Sequence, residues 1–317
     1  MNKTILAAVI LLACASLRGQ KPDTKPAPAA GPPLKVTILG SARGPQVDLR
    51  RFGASILVET AGGDKLVFDC GRGFAQRLTE YGVPLRAIDK LFLTHLHSDH
   101  ILSIPDLLMV GFSQGRKGPL QVWGPAGTKS MMDSMGKTFE FDLRVRSEFN
   151  DQLSKDGMRS SSTDIQEGTI YEKNGVKVTA FLVDHGPIKP AFGYRVDYAG
   201  RSVAMSGDTR FSENLIKHSR GVDLLIHETE RFLPPDPKQS ERERAQQEKV
   251  SRELHTSPEQ TATVFNRAKP RLAVYSHGGS PAIVAEARKT YSGPLEIGED
   301  LMTIEIGEKI EIRRSKQ

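Results

Sequence analysis

Short apolar runs rich in β-branched residues recur from Leu34 onward, among them KVTILG, ASILVET, KLVFDCG, KLFLTH, LQVWGP, VKVTAFLVDHG, GYRVDY, RSVAMSGD, DLLIHET, RLAVYSH, MTIEIG and KIEIRR. Turn residues bound each of them, so they read as strands. Between several lie stretches with helical spacing: GFAQRLTEYG after Cys70, ILSIPDLLMVGF after His100, AGTKSMMDSMGKTF after Pro125 and SPEQTATVFNRA after Thr256. This mixed order predicts an α/β protein with a sheet-rich core and outer helices. Ala199-Gly200, between GYRVDY and RSVAMS, predicts a hairpin and hence antiparallel pairing in the later half. Asn150 to Thr163 is polar enough to read as a loop. In SERERAQQEKVSRE acidic and basic residues alternate, which predicts a solvated helix face rather than a nucleic-acid patch.

The first residues follow a different rule. Met1-Asn2-Lys3 is basic and Ile5 to Ala13 is apolar but too short to span a bilayer, so 1–15 reads as a signal peptide. Cleavage at Ala13-Cys14-Ala15 is the preferred reading; the alternative is a lipoprotein site in which Cys14 is acylated and anchors the chain. Residues 16–33, including KPDTKPAPAAGPP, read as a Pro/Ala-rich linker, which leaves 34–317 as one domain. The expected location is periplasmic or secreted. Cleavage would leave Cys70 as the only cysteine and allow no internal disulfide, which a domain of this size does not need. The net charge of +6 is spread along the chain, and no later apolar run approaches a membrane span.

The chemistry sits where the apolar runs stop. LFLT ends at His95, AFLVD at His185, SVAMSG at Asp208, LLI at His227-Glu228 and LAVYS at His277. Strand ends on one sheet edge face a common cleft, where rigid strands hold functional loops. The stretch LFLTHLHSDH is the densest case: His95 and His97, two apart, can converge on one cation, while Asp99 and His100 turn toward a second. Without a cation such a crowd would repel or stay unsatisfied. Imidazole and carboxylate suit two Zn²⁺, and also Mn²⁺ or Fe, and an open position could activate water. His185 and His277 would complete the sets, with Asp208 bridging metals about 3.5 to 4 Å apart. His218, in IKHSRGVD, reads as a surface residue outside this pattern.

These residues resemble the metallo-β-lactamase superfamily of metallohydrolases, in its ribonuclease Z and arylsulfatase-like branch, from about Leu39 to His277. The segments that carry the likeness are ILGSARGPQVDLRRFGASILVE, FDCGRG, THLHSDH, VDHGP, SGDTR, LLIHETE, ELHTS and VYSHGG. The resemblance implies a four-layer αβ/βα sandwich of mixed sheets with outer helices. It also implies one zinc on His95, His97 and His185, another on Asp99, His100 and His277, and Asp208 between them. A metal-bridging hydroxide would attack the ester, Asp99 would position its proton, and His255, oriented by Glu228, would serve the leaving oxygen as general acid. A homodimer is a further implication.

Three departures from ribonuclease Z shape the substrate expectation. Ser98 stands where that enzyme usually has Gly, Gly278-Gly279-Ser280 replaces its Arg/Tyr-type ending, and no long basic, Gly/Pro-rich arm is found in the sequence. Together with export, these make precursor tRNA an awkward substrate. The expectation is therefore a hydrolase of phosphodiester or related anionic esters acting on a small anionic ester, with nucleic acid not favoured. The alternatives are an arylsulfatase or another esterase or lactonase of this fold and, outside enzymes, a metal-free binding protein. Redox members of the superfamily normally carry a carboxylate where His185 stands, which disfavours an oxidoreductase.

Overall fold

The computed structural model describes residues 32–44, 47–229 and 240–315. The expected signal peptide, Cys14 and the linker up to residue 31 lie outside the described residues. The chain opens with β1 (Leu34–Gly40), β2 (Ser55–Thr60), β3 (Lys65–Phe68), α1 (Phe74–Glu80), β4 (Lys90–Phe92), α2 (Ser98–Ile101), α3 (Ile104–Ser113) and β5 (Leu120–Gly124). Next come α4 (Thr128–Thr138), α5 (Glu140–Phe149), β6 (Ser160–Asp164), β7 (Gly168–Lys173), β8 (Val176–His185), β9 (Ile188–Tyr198) and β10 (Arg201–Met205). The rest is α6 (Glu213–Ser219), β11 (Leu224–His227), α7 (Glu241–Leu254), α8 (Pro258–Ala268), β12 (Leu272–Tyr275), α9 (Pro281–Ala287), β13 (Leu295–Ile297), β14 (Met302–Ile306) and β15 (Ile310–Arg313).

Two mixed sheets result, one ordered β15-β14-β1-β2-β3-β4-β5-β6 and the other β13-β12-β11-β10-β9-β8-β7. Pairing is parallel from β3 to β6 and from β10 to β13, and antiparallel elsewhere. Alternation along the strands assigns the layers, because successive side chains face opposite sides. Val36, Ile38, Val58, Phe68 and Phe92 of the first sheet meet Val178, Phe192, Tyr194, Val203, Ile226 and Val274 of the second in a central core. The outer face of the first sheet packs Leu57, Val67 and Leu91 against Phe74, Leu107 and Met132 of α1, α3 and α4. That of the second packs Ala204, Leu225 and Ala273 against Leu215, Phe265 and Ile283 of α6, α8 and α9. The four-layer sandwich is thus read directly from which residues are buried together.

The central core includes an aromatic stack: Phe92 lies between Phe68 and Trp123, with ring centroids 5.0 and 4.8 Å apart. Burying each large side chain stabilises the fold by about 1.5–3 kcal/mol. Tyr194 reaches across from the second sheet and its Oη donates to Leu93 O at 2.6 Å, so its hydroxyl is satisfied. That bond ties β9 to the segment leading into His95. Gly207 makes a second close approach, since a Cβ there would lie 2.6 Å from Phe192 O.

The expected hairpin at Ala199-Gly200 is present, with positive φ at both residues and Arg201 paired antiparallel to Tyr198. The loop expected over 150–163 needs correction: Ser160–Asp164 is an edge strand in parallel register with Leu120–Gly124. The charged stretch SERERAQQEKVSRE forms the mostly exposed α7, as its alternation predicts. Among the described residues no helix is long and apolar enough to cross a membrane.

Candidate metal centre

The parallel strands of both sheets end at the same edge of the sandwich. Asp69 follows β3, His95 follows β4, Asp208 follows β10, Glu228 follows β11 and His277 follows β12. His97 caps the short α2, which carries Asp99 and His100, and His185 closes β8. His255 is the C-cap of α7, and its backbone N–H bonds to Ser251 O. All nine expected residues therefore meet in one place.

Their donor atoms form four overlapping groups, each lying within 4.8 Å: His95–His97–His185, His95–His100–Asp208, Asp99–His100–His277 and His185–Asp208–His255. Asp208 is at their centre. Its Oδ1 is 3.2 Å from His277 Nδ1 and 3.6 Å from His100 Nε2, while its Oδ2 is 3.9 Å from His185 Nε2 and 4.0 Å from His255 Nδ1. His277 Nε2 is 3.2 Å from Asp99 Oδ2, which also accepts the Gly44 N–H at 3.0 Å. His185 Nε2 and His97 Nδ1 face each other at 3.4 Å. His218 lies outside these groups. It is half-buried rather than a simple surface residue, with its ring stacked on Phe181 at 4.9 Å.

The outer hydrogen bonds decide which nitrogen of each ring looks inward. His100 Nδ1 is 2.7 Å from Asp69 Oδ2 and His185 Nδ1 is 2.9 Å from Leu254 O. Thr94 Oγ1 donates to Asp69 Oδ2 at 2.8 Å, so its lone pair is left to accept from His95 Nδ1 at 3.0 Å. Each of these partners accepts the Nδ1–H and leaves Nε2 facing the centre. Among the described residues, the Nε2 atoms of His95 and His100 are buried with no hydrogen-bond partner. His277 Nδ1 is orphaned too, because its 3.2 Å approach to Asp208 runs in a direction unsuited to a hydrogen bond. Leaving a buried polar atom unsatisfied costs about 1–3 kcal/mol. A cation shared by these atoms relieves that cost, so the donor set fits a bound metal.

The electrostatics point the same way. Burial pushes His95 well below the usual histidine range and also lowers His97 and His185, so these rings sit neutral, as ligation requires. Burial acts against ionisation of Asp208 and Asp99, but the surrounding histidines outweigh it and hold both well below the usual carboxylate range. His100 is opposed by burial yet held well above its ordinary value by Asp208 and Asp69. A proton thus sits on His100 where a cation would displace it.

Glu228 and His255 form a second unit. Glu228 Oε2 is 2.9 Å from His255 Nδ1, and Oε1 accepts the Thr256 N–H at 2.9 Å. Burial opposes the charge on Glu228, but His255 outweighs it and keeps the carboxylate ionised. Sequence reasoning missed Asp69, which accepts the Thr94 N–H, the Thr94 hydroxyl and the His100 imidazole. Its signal was available, since Asp69 follows an apolar strand as Asp208 does. The role of Leu254 had no signal, because it is played by a backbone carbonyl.

Residues 64–278 match the beta-lactamase superfamily domain. The chain is 32% identical over 285 residues to a ribonuclease Z of Mycolicibacterium gilvum, covering 86% of this chain and 96% of that protein. It is 31% identical over 286 residues to the ribonuclease Z of Mycobacterium marinum, covering 86% and 99%. Among solved structures, the metallo-beta-lactamase fold protein YhfI of Bacillus subtilis superposes with a TM-score of 0.65 at 20% identity, over 86% of this chain and 98% of that one. The short form of human tRNase Z does so with a TM-score of 0.64 at 23% identity, over 86% and 99%. These two structures share the fold, and the mycobacterial sequences narrow the branch. With inward-facing imidazoles and a central aspartate at the shared strand edge, the chain belongs to the metallo-β-lactamase superfamily, in its ribonuclease Z branch, and is a metal-dependent hydrolase.

Proposed function

We propose that this chain is an exported dinuclear hydrolase of phosphodiester bonds with ribonuclease Z-like chemistry. His95, His97 and His185 would hold one cation and Asp99, His100 and His277 the other, with Asp208 shared between them. The observation that carries this reading is the pair of buried Nε2 atoms on His95 and His100, without a hydrogen-bond partner among the described residues and grouped with the same carboxylate, Asp208. Imidazole and carboxylate donors suit zinc, with manganese or iron sharing the preference. When bound, two such cations supply an activated water and neutralise the charge that develops on the ester oxygens.

The protein's own part is to hold geometry and move one proton. Asp69, Thr94 and Leu254 O fix the tautomers of His100, His95 and His185. Gly44 N–H holds Asp99, which lies beside the attacking position and helps orient its proton. Glu228 accepts from His255 Nδ1 and so presents the far side of the ring to the leaving oxygen, where His255 acts as general acid. The mycobacterial relatives are by name ribonucleases, which moves the substrate from a small ester in general toward a diester within a nucleic acid or its fragments. Export rests on the 1–15 segment, and a homodimer on the resemblance alone.

The test is metal analysis of the mature protein followed by hydrolysis of bis(p-nitrophenyl) phosphate, p-nitrophenyl sulfate and a chromogenic cephalosporin. The reading expects about two metal equivalents and diester cleavage that stops on chelation and returns with zinc. Metal-free protein, or cleavage of the sulfate or lactam with the diester untouched, overturns it.

A further inference from the structure

Asp300 lies in the turn between β13 and β14, outside every motif singled out in the sequence, yet its side chain is only 6% exposed. Its two oxygens accept four bonds. Oδ1 takes the Ser41 N–H at 2.9 Å and the Ser41 hydroxyl at 2.8 Å, while Oδ2 takes the Phe52 N–H at 2.8 Å and the Arg77 Nε–H at 3.1 Å. Ser41 directly follows β1 and Phe52 stands shortly before β2, so one carboxylate joins the two ends of the connection between these strands. A buried carboxylate is costly unless it is paired and its lone pairs are taken. Here a guanidinium from α1 and the three donors of Ser41 and Phe52 meet that need.

The neck so formed is tight and leads to the metal centre. Ala42 N–H donates to Phe52 O at 2.8 Å, and a Cβ on Gly40 would lie 1.9 Å from Gly53 O, so the two arms meet backbone to backbone. Arg77 also donates from Nη2 to Arg50 O at 3.1 Å and lies over the Phe52 ring at 4.5 Å. Only Ala42 and Arg43 separate Ser41 from Gly44, whose N–H reaches Asp99 Oδ2 at 3.0 Å. At a reach of about 3.3–3.6 Å per residue, a fixed neck leaves that amide little freedom to leave Asp99. The same Oδ2 is 3.2 Å from His277 Nε2, so the N–H holds an oxygen of the Asp99–His100–His277 set. The His95–His97–His185 set takes its outer bonds elsewhere, from Thr94 and Leu254 O.

We propose that Asp300 is a positioning residue for the Asp99–His100–His277 set. By pinning Ser41 and Phe52 it keeps the Gly44 N–H on Asp99, and so sets the cation affinity of that set while leaving the His95–His97–His185 set nearly unchanged. The inference rests on the two-cation reading above and extends it to a residue that contacts none of the expected ligands directly. Asn at this position keeps the shape of the side chain but offers one acceptor oxygen to four donors and no charge to Arg77. The neck then loosens and the Gly44 amide is released from Asp99.

The test compares the full chain with its Asp300→Asn variant by two measurements that need no substrate. Hydrogen exchange of backbone amides, followed by heteronuclear NMR on the metal-free proteins, reads the neck. Zinc titration against a chromogenic chelator reads the affinities, and the ring signals of His185 and His277 followed through the same titration assign each affinity to its set. Asp300→Asn is expected to speed exchange at Gly44 by about ten-fold or more while the core amides of Leu57 and Val67 stay as slow as in the parent. It is expected to weaken zinc at the His277 set by about ten-fold, as the loss of an outer partner of a ligand does, with the His185 set near its parent affinity. Parent affinity at the His277 set in the folded variant, or equal weakening of both sets, overturns the positioning role alone. Should Asp300→Asn fail to fold, Ser41→Ala, which removes one donor and spares the carboxylate, decides by the same criteria: a smaller but selective loss at the His277 set supports the role, and no loss or an even one overturns it. A parent chain that binds no zinc at these residues overturns the two-cation reading and the inference with it.

Discussion

Replacing Asp69 with Asn isolates a residue that touches no substrate yet sets the donor geometry. Asp69 accepts three short bonds, from Thr94 N at 2.8 Å, Thr94 Oγ1 at 2.8 Å and His100 Nδ1 at 2.7 Å. Asn is nearly isosteric and tolerates the left-handed φ of 58° at this position, so the backbone is kept. The amide offers one acceptor oxygen in place of two and no charge. The bond to His100 then drops from charge-assisted, about 1.5–3 kcal/mol, to neutral or absent, about 0.5–1.5 kcal/mol or less. The difference, about 1–2 kcal/mol, converts to a loss of about 5- to 30-fold in affinity for a cation held by His100. Competition titration with a chromogenic chelator measures that affinity at both sites, and circular dichroism checks that the fold survives. Asp69→Asn should weaken the site containing His100 and spare the one holding His97 and His185 more nearly. Parent affinity at both sites in a folded variant would refute the role given to Asp69.

Asp208→Ala removes the carboxylate shared by two of the four donor groups, so it should strip or separate both metals and abolish diester hydrolysis, as metal content and turnover would show. His255→Ala should retain both metals while slowing turnover by about 10²-fold or more, a combination that steady-state kinetics on metal-assayed protein can check. Phe92→Ala opens a cavity in the stack between Phe68 and Trp123, and should cost about 3–5 kcal/mol in chemical denaturation.

The site was more legible in the sequence than the fold around it. The donors that follow buried strands are the legible ones, and apolar runs ending in His95, Asp208 and His277 announce both the strand and the polar side chain at its end. Edge strands carry no such pattern. Ser160–Asp164 is SSSTD, half solvated, and is held to β5 by backbone bonds that any sequence can make. Helix α5 hides for the opposite reason: Phe141 and Phe149 are exposed, so its apolar positions do not mark a buried face. Asp69 went unread because an aspartate before Cys-Gly looks like an ordinary turn, and its meaning appears only when Thr94 and His100 arrive from β4 and α2.

The convergence of the inward imidazoles on shared cations is tested most directly by anomalous diffraction at the zinc absorption edge, on crystals of zinc-loaded protein. Two peaks are predicted, one among His95, His97 and His185 and one among Asp99, His100 and His277, with the Asp208 carboxylate touching both. A single peak elsewhere, or saturating zinc with no peak at these residues, would contradict the account.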